Sequence, residues 1–423
     1  MLTALFLATI FAVPLVQYLD DAWQFAQGAR PSWIPHDYAI LQALPESAAV
    51  FRHSTAGRAQ RVIAANRQLL QAMRRYEHEQ AEFSWLTRVG LPPTQGVLTR
   101  CLGVGSEKVY LGRPDWLFYR PDVDYVTGPD FLGQRHADSR LKSGEEWEHA
   151  PQPDPLPAMV AFNERLQARG IRLIVMPTPM KPTIHPDRFS RAFRNQTAPL
   201  HNVAVPAFLE RLRKAHVAVF DCAPLLARAA HATGQPQYLA GDTHWRPEAM
   251  DRVAASLAAM IRETGLLSPA GAVDYRRETV NVSSVGDLRM LLKLPERWGL
   301  PDPETVQILQ VLAPDGELWT PDRNAEVLVL GDSFSNIYSL PSLGWGDSAG
   351  LVEQLSYHLR RPADRIVQND HGAYATRAAL FGAAAAGRDR LQGKRVVVWQ
   401  FAARELAFGD WKISAEVPAS PRS

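Results

Sequence analysis

The sequence predicts an α/β protein in which a parallel sheet is flanked by helices. From about residue 109 onward, short apolar runs bounded by turn residues alternate with helical patterns. These runs are continuously apolar, as strands covered on both faces are. The chain is also long enough to bury a large core, since its 423 residues are 46% hydrophobic and 21% charged. With 46 basic and 44 acidic side chains, its charge gives no bias toward nucleic acid.

The core strands are predicted where branched apolar residues cluster. Their predicted positions are residues 172–176, 217–220, 326–330, 365–367 and 395–399. The helices predicted between or after them lie at residues 158–168, 205–214, 247–262 and 373–391. Because ligands of open parallel sheets collect beyond the carboxyl ends of the strands, the residues after each strand are the candidate site.

Outside the sheet region, the chain divides into three further segments. Residues 1–19 are almost wholly apolar, which predicts a signal anchor or transmembrane helix and leaves a cleaved signal sequence or a buried N-terminal helix as alternatives. Residues 20–105 are predicted to be a helical region, in which apolar side chains recur at helical spacing between arginines. The α/β domain is predicted at 106–415, followed by a flexible tail at 416–423.

The two cysteines, Cys101 and Cys222, match no zinc or redox motif, so neither a metal nor a cofactor is predicted. Two alternatives stay open for them. An exported chain can join them in a disulfide, whereas buried cysteines often remain free thiols.

Ser333 is the candidate nucleophile. The apolar run 327–330 stops at Gly331 and leads directly into Asp332 and Ser333. On a strand-to-loop turn, a serine hydroxyl is exposed and neighbouring backbone N–H groups can receive an oxyanion. The alternative is that Asp332 or Ser333 merely caps the next turn.

A serine needs a base that is itself oriented by an acceptor, and Asp242 and His244 fit these roles. They lie two residues apart, after Gly241 and before a helix that can start at Pro247. In an extended or turn segment, this spacing lets Asp242 accept from one ring nitrogen of His244 while the other nitrogen faces the serine. The alternative is a capping aspartate beside a structural histidine.

Three further residues are candidates for oxyanion or substrate binding. Asn369 follows the strand at 365–367 and can donate an amide hydrogen bond to an oxyanion, and Arg377 can steer a carboxylate-bearing sugar. Arg404 is a similar candidate, with an ion pair to a local acid as its alternative. For Asn369 the alternative is a turn before a helix.

The Gly-Asp-Ser-Phe-Ser segment at 331–335, together with the separate Asp-x-His-Trp segment at 242–245, resembles the SGNH-hydrolase-like domain of the alginate O-acetyltransferases of the AlgJ and AlgX type. Four other segments resemble this family in the same order: DWLFYR at 115–120, IVMPTPMKPTIHP at 174–186, GDLRMLLKLP at 286–295 and VVVWQFAARELAFGDW at 396–411.

The resemblance implies that Ser333 is the nucleophile, His244 its general base and Asp242 the residue that orients the base. Because the Asp-His pair precedes the serine, it also implies a circularly permuted SGNH-hydrolase-like fold. Its implied location is the periplasm, tethered to the bacterial inner membrane. The implied partners are a polysaccharide acceptor, a membrane-bound O-acyltransferase that supplies acetyl groups and other polymer-export proteins.

The expected activity is therefore acetyl transfer to an exported polysaccharide, without metal or cofactor, through an acetyl-serine intermediate. The short stretch after the last predicted strand leaves no room for the carbohydrate-binding module of the AlgX type, so the sequence is expected to be closer to AlgJ. Two alternatives stay open: a polysaccharide acetylesterase, which needs the same three residues, and a non-catalytic polysaccharide-binding or assembly subunit.

Overall fold

The computed structural model describes residues 2–28, 41–53, 57–113, 115–143, 151–269, 271–295, 303–369 and 372–413. The predicted tail at 416–423 lies outside these residues. The chain forms two compact units, one made of residues 1–104 and 293–299 and the other of residues 105–292 and 300–423.

The first unit is helical where it is described. Its helices are α1 (Leu2–Ala26), α2 (Ala43–His53), α3 (Arg58–Phe83) and α4 (Trp85–Leu102). Within this unit Arg88 of α4 pairs with Asp20 of α1 at 2.7 Å. Among the described residues, no helix combines the length and apolarity that a membrane crossing requires. The membrane segment expected at 1–19 stays a prediction.

The second unit is the predicted α/β domain. Its strands are β1 (Val109–Leu111), β2 (Leu117–Tyr119), β3 (Arg172–Thr178), β4 (Ala218–Val219), β5 (Arg276–Ser284), β6 (Glu304–Leu312), β7 (Val327–Gly331), β8 (Asp364–Val367) and β9 (Val396–Ala402). Its helices are α5 (Arg120–Thr127), α6 (Gln134–Ser143), α7 (Pro155–Gln167), α8 (Lys181–Ile184), α9 (Pro186–Phe189), α10 (Val205–Lys214), α11 (Ala223–Thr233), α12 (Pro247–Glu263), α13 (Asp287–Leu291), α14 (Ser333–Asn336), α15 (Leu351–Leu359), α16 (Gly372–Ala385) and α17 (Glu405–Phe408).

The five predicted strands are confirmed, each within a few residues of its expected bounds, and they form one parallel sheet in the order β4-β3-β9-β7-β8. We number the strands 1 to 5 as β7, β8, β9, β3 and β4. Read from the β8 edge to the β4 edge, the sheet then has the order 2-1-3-4-5, which is that of flavodoxin-like sheets. The switch point, where ligands bind, then lies between β7 and β9.

Continuous burial explains why these runs form the centre of the sheet. All seven residues of β9 and all five of β7 are buried. Helices cover the sheet, and on one face Phe162 of α7 packs edge-on against both Phe381 of α16 and Trp399 of β9. The four predicted helices are confirmed as α7, α10, α12 and α16, although α16 ends at Ala385, six residues before the predicted end at 391.

Two antiparallel pairs were not predicted. Strand β5 pairs with β6 over nine residues, and β1 pairs with β2 over three. Strand β5 is mostly exposed and polar, so it lacks the apolar run by which the other strands were found. Both cysteines are free in the structure, Cys101 exposed in the first unit and Cys222 buried in the second.

Candidate active site

Ser333, His244 and Asp242 meet at the carboxyl end of strand β7. His244 Nε2 lies 2.8 Å from Ser333 Oγ, and His244 Nδ1 lies 2.7 Å from Asp242 Oδ1. Asp242 and His244 are buried, whereas Ser333 is half-buried at the start of α14. The geometry therefore forms one hydrogen-bonded chain from a carboxylate through an imidazole to a hydroxyl, which is the arrangement that activates a serine nucleophile.

A tight hairpin presents Asp242 and His244. Tyr238 and Trp245 form an antiparallel bridge, and the N–H of Leu239 donates to the carbonyl of His244 at 3.1 Å. At the tip, Asp242 Oδ1 also accepts from the backbone N–H of His244 at 3.0 Å. The spacing of two residues thus lets one carboxylate hold both the backbone and the ring of the same histidine.

Asp242 is a buried carboxylate with every oxygen engaged. Its Oδ2 accepts from Trp345 Nε1 at 2.9 Å and from the N–H of Asp287 at 3.0 Å. Burial alone would raise the pKa of Asp242, but the hydrogen bonds from His244 and Trp345 and the charge of His244 hold it well below its usual range. Asp242 is therefore ionised at neutral pH.

The charge of Asp242 controls His244 in turn. Burial favours the neutral ring and would lower the pKa of His244, but the hydrogen bond and the negative charge of Asp242 outweigh burial and raise it. His244 can consequently accept a proton from Ser333 and remain stabilised as an imidazolium.

Asp332 shapes the turn that carries Ser333, the candidate nucleophile. Its carboxylate accepts from the N–H of Phe334 at 2.9 Å and from the N–H of Ala402 at 2.6 Å. Gln400, on β9, binds both the backbone N–H and the carboxylate of Asp332, at 3.0 and 2.8 Å. Gly331 has no room for a side chain, because a Cβ there would lie 2.4 Å from Ser335 Oγ. The turn is thereby fixed to the neighbouring central strand.

The backbone N–H of Ser333 is a candidate oxyanion donor. Within the part of the chain that the structure describes, this N–H has no protein acceptor. Asn369, the other predicted donor, is exposed after β8, and its Oδ1 lies 3.4 Å from Asn336 Nδ2 at the end of α14. The structure therefore brings Asn369 to the helix that begins at Ser333, with no contact to Ser333 itself.

The two predicted arginines lie in different surroundings. Arg377 is 2% exposed; it donates to the carbonyl of Lys412 at 2.9 Å and lies over the ring of Trp399, so its position does not agree with the predicted substrate role. Arg404 forms the ion pair that was its alternative, with the buried carboxylate of Asp122 at 2.9 Å. Its side chain stays 20% exposed and can still meet a ligand.

Three residues of the site were missed by sequence reasoning: Trp345, Asp287 and Gln400. They contact Asp242 or Asp332 from segments at least 45 residues away along the chain. The sequence did offer an indication for Asp287, because Asp287 follows a glycine in the segment 286–295, which resembles the acetyltransferase family. Gln400 also lies within such a segment, at 396–411, whereas no local pattern marked Trp345.

The possible ligand atoms of Asp242, His244 and Asp287 all lie within 4.8 Å of one another. Each is already hydrogen bonded within the protein: Asp242 to His244, Trp345 and Asp287, His244 Nε2 to Ser333, and Asp287 to Thr243. This satisfied network is that of a hydrogen-bonded triad, and we assign no metal to it.

Comparison with known proteins identifies the family of the chain. A family profile described as "SGNH hydrolase-like domain, acetyltransferase AlgX" matches residues 109–403. A probable alginate O-acetylase AlgJ of Pseudomonas aeruginosa is 33% identical over 206 residues, 48% of this chain and 46% of that protein. The AlgJ of Azotobacter vinelandii, also a probable alginate O-acetylase, is 26% identical over 179 residues, 41% of this chain and 45% of that protein. The chain thus spans about half the length of the curated relatives it matches.

The fold is similar to that of a solved domain. The O-acetyltransferase domain of Pseudomonas putida AlgJ superposes with a TM-score of 0.51 at 22% identity, over 71% of this chain and 93% of that one. This likeness supports the α/β architecture with its helix-flanked parallel sheet. The similarity to AlgJ that the sequence motifs predicted is confirmed by the curated relatives.

Proposed function

Because the chain belongs to the family of SGNH-hydrolase-like acetyltransferases of the AlgJ and AlgX type, we propose that it transfers acetyl groups to hydroxyls of an exported polysaccharide through Ser333. The observation that carries this proposal is the hydrogen-bonded chain from Asp242 through His244 to Ser333, with distances of 2.7 and 2.8 Å. Alginate or a similar polymer is the proposed acceptor, since the curated relatives are named for alginate O-acetylation.

The proposed reaction has two halves. In the first, His244 Nε2 takes the proton of Ser333 as Oγ attacks the acetyl carbonyl carbon of the donor. The tetrahedral intermediate collapses, the bond to the donor breaks, and the leaving group takes the proton from His244. Ser333 then carries the acetyl group as an ester.

In the second half, a sugar hydroxyl gives its proton to His244 and attacks the same carbonyl carbon. Collapse of this intermediate breaks the bond to Ser333 Oγ, which recovers the proton from His244, and the acetylated sugar leaves. Asp242 stabilises the imidazolium in both halves. The Ser333 N–H is the proposed donor to the negatively charged oxygen, and Asn369 and Arg404 are proposed to contact the oxyanion and the acceptor.

The cellular setting is part of the proposal. The expected location is the periplasm, with the segment at 1–19 as a tether to the inner membrane. Proposed partners are a membrane-bound O-acyltransferase, which would supply the acetyl group, and other polymer-export proteins.

Intact-protein mass spectrometry tests the covalent step. The full chain is exposed to an activated acetyl ester, with Ser333→Ala and His244→Ala as variants and exposed Ser342→Ala as the matched control. We expect one added acetyl group on the unmodified protein and on the control, and an acylation rate at least about 10³-fold lower in both site variants.

Adding an oligosaccharide then separates the candidate activities. Discharge of the acetyl group to the sugar supports transfer, whereas acetate release that is unaffected by the sugar supports an acetylesterase. If no variant, including the unmodified protein, forms an adduct or releases acetate, the catalytic proposal is wrong and the assembly-subunit alternative gains support.

A further inference from the structure

Asp287, at the start of α13, forms reciprocal hydrogen bonds with the hairpin that carries Asp242 and His244, and we call this set of bonds the clasp. Its N–H donates to Asp242 Oδ2 at 3.0 Å. In the other direction, its carboxylate accepts from the N–H and from the hydroxyl of Thr243, each at 2.8 Å. Thr243 lies between Asp242 and His244, so Asp287 fixes the turn that connects these two residues.

A close approach of two glycines makes this clasp possible. Gly286 has a φ of +82°, and a Cβ on it would lie 2.3 Å from the carbonyl oxygen of Gly241. A Cβ on Gly241 would lie 2.6 Å from Arg289 Nε. Only glycines allow the two chain segments to come this close, and their approach places Asp287 directly beside Asp242.

Asp287 also brings a second negative charge into the site. Its carboxylate and the possible ligand atoms of Asp242 and His244 lie within 4.8 Å of one another. Burial, followed by the charge of Asp242, raises the pKa of Asp287 to about 6, so it is mostly ionised at neutral pH. Lys181 of α8 and Tyr119 of β2 also act on Asp287, and the charge of Asp332 acts on His244 in the same direction as that of Asp287.

Lys181 balances this buried negative charge. It is 1% exposed, and its ammonium donates to the carbonyls of Leu117 and Ala240 at 2.7 and 3.1 Å. Ala240 precedes the hairpin tip, so the cation lies near the two carboxylates without a direct salt bridge to either. Both carboxylates can therefore stay charged in a buried site.

We propose that Asp287 is a positioning residue of the active site, which holds the Asp242–Thr243 turn and places a second carboxylate beside Asp242 and His244. The proposal deepens the serine mechanism and rests on it for its consequence in catalysis. The carboxylate of Asp287 acts through Thr243 and His244 and does not touch the reacting atoms.

Asp287→Asn separates the charge from the geometry. Asparagine has the same shape, its backbone N–H still donates to Asp242, and the hydroxyl of Thr243 can turn to accept from the new amide. Because the negative charge stabilises the imidazolium, its removal lowers the pKa of His244. At a separation below 5 Å, we expect a decrease on the order of one pH unit.

The pKa of His244 can be measured without catalysis. Full-length protein carrying ¹³C-labelled histidine is titrated by NMR, and His244→Gln identifies the resonance. The control is Asp389→Asn, which removes an exposed carboxylate that pairs with Arg169. A lower pKa in Asp287→Asn and an unchanged one in the control are expected; an unchanged or higher pKa in Asp287→Asn overturns the proposal.

Kinetics give the second readout. In Asp287→Asn, the acidic limb of the pH profile for acetyl transfer should move to lower pH by the same amount as the NMR titration. Asp287→Ala, which also loses both bonds to Thr243, should lower kcat about 10-fold further with little change in KM. A pH profile that does not move in Asp287→Asn contradicts the inference. Loss of the serine adduct in the unmodified protein would instead contradict the proposed function and leave the NMR result standing.

Discussion

Replacing Gln400 by glutamate tests whether the buried amide of Gln400 holds the turn at Asp332 and Ser333 through its hydrogen bonds to Asp332. Gln400 is 1% exposed, and its amide nitrogen donates to Asp332 Oδ1 at 2.8 Å and to Thr178 Oγ1 at 2.9 Å. Its Oε1 accepts from the N–H of Asp332 and the hydroxyl of Ser335. In Gln400→Glu, a carboxylate oxygen replaces the amide nitrogen and lies 2.8 Å from Oδ1 of Asp332 if the side chain keeps its position.

Two carboxylates this close do not both stay ionised, so one proton must be retained. The new glutamate, when protonated, can donate to Asp332 as the amide did. Keeping that proton costs about 1.4 kcal/mol for each pH unit above the ordinary glutamate pKa of about 4.3, or about 4 kcal/mol at pH 7. Because the folded-state pKa is raised, the penalty is small below this ordinary pKa and grows as the pH rises.

Urea titrations of the unmodified protein, Gln400→Glu and Gln400→Leu at about pH 7 and pH 4.5 measure this penalty. We expect Gln400→Glu to lose about 4 kcal/mol of unfolding free energy at pH 7 and less than about 1 kcal/mol at pH 4.5. Gln400→Leu, which leaves buried partners unsatisfied, should lose several kcal/mol at both values. If the loss in Gln400→Glu is the same at both pH values, Gln400 does not bind the Asp332 carboxylate and the description of the turn is wrong.

Two further changes probe the support of Asp242. Trp345→Phe removes one of the donors to this buried carboxylate, so we expect kcat for acetyl transfer to fall about 10-fold and the unfolding free energy by about 1–3 kcal/mol; unchanged kinetics would show that the indole N–H is dispensable. Gly286→Ala places a Cβ against the carbonyl of Gly241 at a positive φ, and thermal unfolding should reveal a loss of at least about 2 kcal/mol, whereas an unaltered Tm would contradict the close approach.

The parallel sheet could be predicted because strands that are buried on both faces have continuously apolar sequences. Strands β7 and β9 are runs of apolar residues, and the helices between strands repeat at a helical period. The antiparallel pair of β5 and β6 could not be found in this way, because β5 is mostly exposed and lacks a continuous apolar run. The same local logic placed Ser333 after a strand and the Asp242–His244 pair in an extended or turn segment, and their contact agrees with that expectation.

What local patterns could not show is which distant segments meet. Trp345 binds Asp242 across 103 positions, and Gln400 binds Asp332 across 68. Such contacts depend on the strand order, which the residues around each contact do not encode. Arg377 shows the converse: it follows a strand end in sequence, yet the first turns of α16 direct it into the core, where it lies over the Trp399 ring and donates to the carbonyl of Lys412.

The strand order also has a consequence for the closure of the sheet. The two halves of the sheet, β3 with β4 and β7 with β8, have no hydrogen bond to each other, because β9 lies between them and pairs with both. The two halves can therefore be joined only through residues 396–402. Gln400 belongs to that same strand and binds the backbone and carboxylate of Asp332. Closure of the sheet and fixation of the turn at Asp332 and Ser333 thus depend on one strand.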